Sequence, residues 1–222
     1  MWDWKFAVEI LPELLRAVKI TISATLVAFV LAAGSGLLLA LGRRSSFKPL
    51  SLLLGGLIQF IRSTPLLVQL YFIFYALPGL GLVLSPFTAG VLGLGLHYST
   101  YLSEVYRSGI DHIPRSQWEA SKALNFSKIR TWVSVILPQA IPPVLPVLGN
   151  YLIVMFKETP LLSAITLVEL LQTAKIIGSM SFRYNEAFTI VGLLFLALSY
   201  PSSLLFRQLE NRLNVRYRHR PI

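Results

Sequence analysis

The chain predicts an all-α membrane protein of about five transmembrane helices, with its N-terminus outside and its C-terminus in the cytoplasm. Three observations carry this. The 222 residues are 55% hydrophobic and only 14% charged, with a mean hydropathy of +0.65, whereas a soluble domain carries about a quarter charged residues. Apolar runs recur that reach the ~20 residues a helix needs to cross a bilayer. The basic residues behind the net charge of +10 gather in short loops beside those runs, which marks the cytoplasmic side. A nucleic-acid binder needs them in one stripe, so the partner of this charge is membrane lipid and not nucleic acid.

Residues 1–19 set Trp2, Trp4, Phe6, Ile10, Leu14 and Leu15 among charged residues and read as an amphipathic interfacial segment with aromatic anchors. The basic start and small-residue cleavage site of a signal peptide are missing. The first span is expected over Ile20–Leu41, with Gly34-Ser35-Gly36 permitting close helix contact. Arg43, Arg44 and Lys48 follow. The second span is expected over about Leu50–Tyr75, interrupted only by Arg62. Pro78-Gly79-Leu80-Gly81 and Ser85-Pro86 are turn chemistry. The third span is expected over about Phe87–Tyr106, with Gly90, Gly93 and Gly95 forming a close-packing face.

A basic cytoplasmic hairpin is expected over residues 111–131. Ser116-x-x-Glu119 after Pro114 has the form of a capping box. Asn125 tolerates the positive φ at which a chain leaves a helix, and Ser127 caps a second short helix. Trp118 and Leu124 are its bulky apolar members. The fourth span, Trp132–Phe156, carries no charge but holds Pro138, Pro142, Pro143 and Pro146, each able to kink a helix. Broken backbone at membrane depth is tolerated where it is buried in protein or lines a cavity. Residues 157–186 are expected to enter or skirt the membrane edge. The fifth span is expected over Ala187–Phe206, followed by a basic cytoplasmic tail over 207–222.

The whole chain then forms a single transmembrane domain. It has no cysteine, and His97, His112 and His219 are scattered, so neither a metal site nor a cofactor is expected. No phosphate-binding loop of the Gly-x-x-x-x-Gly-Lys-Ser/Thr type occurs, so the chain is not expected to be an enzyme that hydrolyses ATP.

Several charged and polar side chains invite two readings. Arg62, placed mid-span, costs at least ~2.5–3.5 kcal/mol to insert; it is either a contact for solute or gate, or one half of a structural ion pair or carbonyl clamp. Gln69 lies two turns along the same helix face and shares either task. Lys157 and Glu158 are adjacent, so on a helix they point apart and each needs its own partner. Glu104 and Arg107 have the spacing of an ordinary helix pair. His97 and Tyr101 read as buried, satisfied polar groups. Glu119 either meets a partner protein or only completes its own cap.

Three ordered motifs resemble one family over roughly Thr21 to Phe206. Glu119-Ala120-Ser121, the helix and turn to Asn125, and then Ile136-Leu137-Pro138-Gln139-Ala140 look like the cytoplasmic loop of type I ABC importer permeases. Ser121 and Asn125 depart from the family's Ala and Gly but keep the small-residue and positive-φ requirements. Arg62-Ser63-Thr64-Pro65-Leu66-Leu67-Val68-Gln69 and Lys157-Glu158-Thr159-Pro160-Leu161 resemble elements of the polar amino-acid branch, and the wording of several segments is most similar to ectoine/hydroxyectoine permeases. The resemblance implies a type I importer permease fold in the bacterial inner membrane. It implies cytoplasmic ABC ATPase subunits, a sister permease or second copy, and an external solute-binding protein as partners. It further implies ATPase coupling through Ser116, Gln117, Trp118, Glu119, Ala120, Ser121, Leu124 and Asn125. The translocation path would draw on Arg62, Gln69, Tyr101, Glu104, Lys157, Glu158 and Thr159. A secondary transporter working without ATPases is the rival reading; such folds commonly carry internal repeats, and none is evident here. An intramembrane enzyme has only Ser99 near His97 in its favour, and two residues apart on a helix they do not face each other.

Overall fold

The computed structural model describes residues 2–218, whose regular structure is all helical, with no strand among them. Helix α1 (Trp4–Arg43) is capped at its start by the Asp3 carboxylate, which accepts from the Lys5 and Phe6 amides. It joins what the sequence divides at Ile20. At 1.5 Å per residue α1 is ~60 Å long, about twice the thickness of a hydrocarbon core. Nothing in residues 4–19 stops a helix except Pro12, and a single proline within a long helix does not end it.

Helix α2 (Lys48–Arg62) stops at Ser63-Thr64-Pro65, and α3 (Leu66–Tyr71) continues through a π turn (Phe72–Ala76) and a 3-10 turn (Leu77–Leu80). The two halves are bent by 101°. The expected straight second span is therefore a broken one. Pro65 adopts an extended conformation (ψ 138°), and a residue preceding proline is steered away from helical geometry. Arg62 thus lies at a helix end, not in mid-helix.

Helix α4 (Pro86–Asp111) crosses the centre and packs along α1. The contact rests on small residues. Ala24, Ala28, Ala32, Gly36 and Ala40 recur every fourth position of α1 and are all buried. A Cβ on Gly36 would come within 2.8 Å of the Ser99 carbonyl oxygen. Lipid supplies no hydrophobic drive between helices, so such backbone approach is what holds them. Of the expected glycine pair, Gly34 touches nothing within 4 Å and Gly36 does the packing.

The hairpin comprises α5 (Arg115–Ala123) and α6 (Lys128–Thr131). A π turn (Trp132–Ile136) leads from α6 directly into α7 (Leu137–Glu158), which contains Pro142, Pro143 and Pro146 without interruption. The expected proline-broken fourth span is an unbroken helix preceded by a π turn. A 3-10 turn (Thr159–Ile165), the short helix α8 (Leu170–Ser181) and α9 (Tyr184–Arg218) complete the chain. The helical part of the tail continues α9 without a break, while His219 and Arg220 lie outside the described residues.

Three helical stretches are long and apolar enough to cross a membrane, Trp4–Arg43, Lys128–Ile165 and Tyr184–Gln208, or four if the bent α2–α3 pair is one span. Helix α4 has the length, but His97, Tyr98, Thr100 and Ser103 are buried along it and lower its hydropathy. The main core gathers Leu66, Leu70, Leu94, Leu102, Met155, Leu162 and Ile165 around α4. A second cluster ties α1 to α8 and α9 through Leu14, Leu170, Ile177 and Val191.

Candidate functional site

The break between α2 and α3 leaves helix-end carbonyls that need donors. Gln69 supplies them: its Nε2 donates to the Ile61 carbonyl at 2.7 Å, the Thr64 carbonyl at 3.1 Å and Thr64 Oγ1 at 2.7 Å. That fixes the amide orientation, so Gln69 Oε1 accepts from Nδ1 of buried His97 at 3.2 Å. Gln69 is the clamp on the broken helix, on the far side of the bend from Arg62 and not on a common helix face with it. His97 is a satisfied buried group, as its sequence context suggests.

Arg62 has no carboxylate partner among the described residues. Its guanidinium lies over the Tyr101 ring, 4.9 Å from the centroid. Tyr101 belongs to a triangle with Tyr98 and Tyr151, with ring centroids 5.8, 6.0 and 6.1 Å apart. A cavity of about 430 Å³ opens beside it, lined by Arg62, Tyr101, Glu104, His112, Val144 and Tyr151 among others.

Glu104 does not share Arg62's freedom. It accepts from Arg43 Nη1 at 2.5 Å and from Arg107 at 2.6 and 2.9 Å. Arg107 also reaches Asp111 at 3.0 Å, and Arg44 pairs with Asp111. The expected Glu104–Arg107 pair is therefore part of a network that fastens the end of α1 to α4. Two guanidinium groups already neutralise Glu104, so the unspent charge at the cavity is the Arg62 cation.

The Lys157-Glu158-Thr159 element ends α7. Lys157 is exposed and Glu158 half-buried. Glu158 faces Tyr98, which links it through the tyrosine triangle to Arg62. Thr159 is fully buried and its hydroxyl donates to the Phe156 carbonyl at 2.7 Å, so it is committed to its own helix. The structure thus gathers Arg62, Gln69, Tyr101, Glu104 and Glu158 in one neighbourhood and leaves Lys157 and Thr159 apart. Tyr98 and Tyr151 escaped the sequence reading. Tyr98 lies one turn from Tyr101 and was legible; Tyr151 enters only through the packing of α7 on α4.

At the hairpin, Pro114 takes the N-cap position and α5 has no side-chain cap. The expected capping box is not formed: Ser116 falls inside the first turn, and both it and Glu119 are exposed. The rest follows the sequence. Asn125 has φ 54°. The Phe126 amide donates to the Ser121 carbonyl and the Asn125 amide to the Lys122 carbonyl, closing the helix end. Ser127 accepts from the Arg130 amide. Ser121 is buried, and its hydroxyl donates to the Gln117 carbonyl at 2.7 Å. Trp118 turns inward against Trp132, edge to face at 5.3 Å, over a small core of Ile110, Ile113, Ile136 and Ala140. The apolar side chains presented outward are Leu124 and Ile129, 66% and 77% exposed; Ala120 and Asn125 are exposed beside them.

A polar hairpin is thus sealed by tryptophans to the start of an apolar helix, with a charged cavity farther along that helix. The family described as the binding-protein-dependent transport system inner membrane component matches residues 11–215. The chain belongs to that family. Its fold is that of type I ABC importer permeases. A solved amino acid ABC transporter crystallised with histidines superposes with a TM-score of 0.90 at 35% identity, covering 96% of this chain and 99% of that one. A methionine ABC transporter in inward-facing form shares the fold, with a TM-score of 0.65 at 17% identity over 94% of this chain and 99% of that one. Among relatives, a probable amino-acid ABC transporter permease of Sinorhizobium fredii is 44% identical over 202 residues, 91% of this chain and 87% of its own length. The L-cystine transport system permease of Bacillus subtilis is 34% identical over 204 residues, 90% of this chain and 87% of its own. The protein is a multi-pass inner-membrane permease subunit rather than an enzyme, and it has no nucleotide-binding motif of its own.

Proposed function

We propose that this permease admits amino acids or a related zwitterion such as ectoine, and that cytoplasmic ABC ATPases drive it through the 111–131 hairpin. An external binding protein delivers the solute, and a sister permease or second copy completes the path. The observation that carries the cargo class is Arg62, an unpaired guanidinium on an aromatic face beside a cavity whose one carboxylate is already neutralised. Such a site favours a carboxylate-bearing solute, and the amino-acid transporters among its relatives support the same class. In this reading α4 is the third of five spans, Trp2 and Trp4 anchor residues 1–19 at the outer interface, and the hairpin and the basic tail are cytoplasmic.

The mechanism is alternating access. The ATPases engage the exposed face of α5 and α6, where Glu119, Leu124 and Ile129 stand. Their closure moves the hairpin and with it α7, which lines the cavity. A ligand shifts such an equilibrium only by its differential affinity for the two states. Uptake by the complex in proteoliposomes tests the reading. Arg62→Ala should lower uptake by about tenfold or more, the loss of one charge-assisted hydrogen bond, while leaving expression unchanged. Undiminished uptake would reject Arg62 as a solute contact. Single cysteines at Ser46 and Ser127 should label only from the cytoplasmic side, and labelling from outside would invert the topology.

A further inference from the structure

The hairpin and α7 are joined covalently through a π turn, in which the Leu137 amide donates to the Trp132 carbonyl. Such a turn holds one residue more than an α turn, and π turns recur at functional sites. A movement imposed on α5 would be absorbed there if the covalent link were the only one. Gln139, on the first turn of α7, bypasses it. Its Nε2 donates to the Val135 carbonyl inside the π turn at 2.7 Å and to Oε1 of Gln117 on α5 at 3.3 Å. The Val135 carbonyl can only accept, so it fixes the Gln139 amide, and Gln117 must then present its oxygen. Both glutamines are half-buried. Beyond Gln139, α7 lies against α4 so closely that a Cβ on Gly109 would come within 3.1 Å of the Ala140 carbonyl oxygen.

We infer that Gln139 is a positioning residue for transport: through Gln117 it ties the coupling hairpin to α7 across the π turn, so that hairpin movement displaces the cavity wall. This rests on the ATPase-driven function proposed above. Gln139 touches neither solute nor nucleotide. Its amide makes α5, the π turn and the start of α7 one body, and Pro143, Val144, Val147 and Tyr151 carry that body's motion to the cavity.

The test is the number of ATP molecules hydrolysed per solute imported by the reconstituted complex with its ATPase and binding protein. Gln117→Leu isolates the link, because it leaves the bond from Gln139 to Val135 in place. It should raise the ratio about threefold to tenfold, the effect of one neutral hydrogen bond. Gln117→Glu keeps the acceptor and should restore the wild-type ratio. Gln139→Leu should match Gln117→Leu, and the double variant should be no worse than either single one. A wild-type ratio in Gln117→Leu would overturn the inference, even with Gln139→Leu impaired, since Gln139 would then serve only the local turn. Wild-type uptake that proceeds without ATP would overturn the proposed function and this inference together.

Discussion

The α2–α3 pair and the α6–α7 pair answer the same problem in opposite ways. One proline, Pro65, accompanies a bend of 101°. Pro142, Pro143 and Pro146 lie within α7 and leave it whole. What differs is what surrounds each proline. Pro65 follows Ser63 and Thr64, whose side chains and backbone can leave the helix, and the end they create is caught by a donor on the next helix, Gln69. In α7 the irregularity is moved upstream into the π turn, and Pro138 stands at the start of the helix, where an amide hydrogen is dispensable. The position of a proline relative to available donors, not the number of prolines, decides whether a membrane helix breaks.

The largest effect expected from this contrast is at Gln69. Gln69→Leu removes the donor to the Thr64 carbonyl and one of the donors to the Ile61 carbonyl, and should cost about 1–3 kcal/mol, read as a lower unfolding temperature of the purified permease. Gln69→Glu should not rescue it, because a carboxylate cannot donate. The two regions should then respond oppositely to loss of proline. Pro146→Ala restores a helix donor and should raise stability by about 2 kcal/mol, the helix-interior penalty less the gain in unfolded-chain freedom. Pro65→Ala should lower it by about 1 kcal/mol, since the extended conformation at the bend loses its constraint. Destabilisation by Pro146→Ala would break the contrast.

The smallest effect lies at the other end of the molecule, where α1 is strapped to the α8–α9 turn. Arg183 bonds the Asp3 carboxylate at 2.6 Å, the Asp3 amide donates to Glu186, and Arg183 stacks on Phe6. The Arg183 hydrogen bond, aided by the Phe6 amide, holds the Asp3 carboxyl below its ordinary value of 3.8. A lowered carboxylate pKa adds stability that is present above the ordinary value and lost as pH falls through the lowered one. The strap should therefore be indifferent to pH between 8 and 5 and open only below about 4, with Asp3→Asn abolishing that acid transition in a melting profile.

Much of the fold was legible because membrane helices announce themselves by composition. Asn125 and Ser127 could be placed from local turn chemistry alone. The ladder Ala24, Ala28, Ala32, Gly36, Ala40 is a sequence signal of its own, a small residue every fourth position, and it names the face of α1 that meets α4. The bend at Pro65 was hidden because the apolar run continues through it, and hydropathy carries no information on direction. The capping box at Ser116 failed because Pro114, already extended, took the cap position two residues earlier. Trp118, expected among the coupling residues, turns inward instead, and its partner Trp132 could not be assigned without the tertiary contact. The cavity was half legible: Arg62 and Tyr101 were, but the neutralisation of Glu104 by Arg43 joins residues 61 positions apart and belongs to the fold.

Transport by the purified chain, with and without its companions, bears most directly on the claim that this permease is a gate worked through its hairpin. In proteoliposomes holding the permease, its ATPase and its binding protein, solute should accumulate against its gradient only when ATP is present on the hairpin side. Accumulation by the permease alone, with no ATPase beneath it, would contradict that claim.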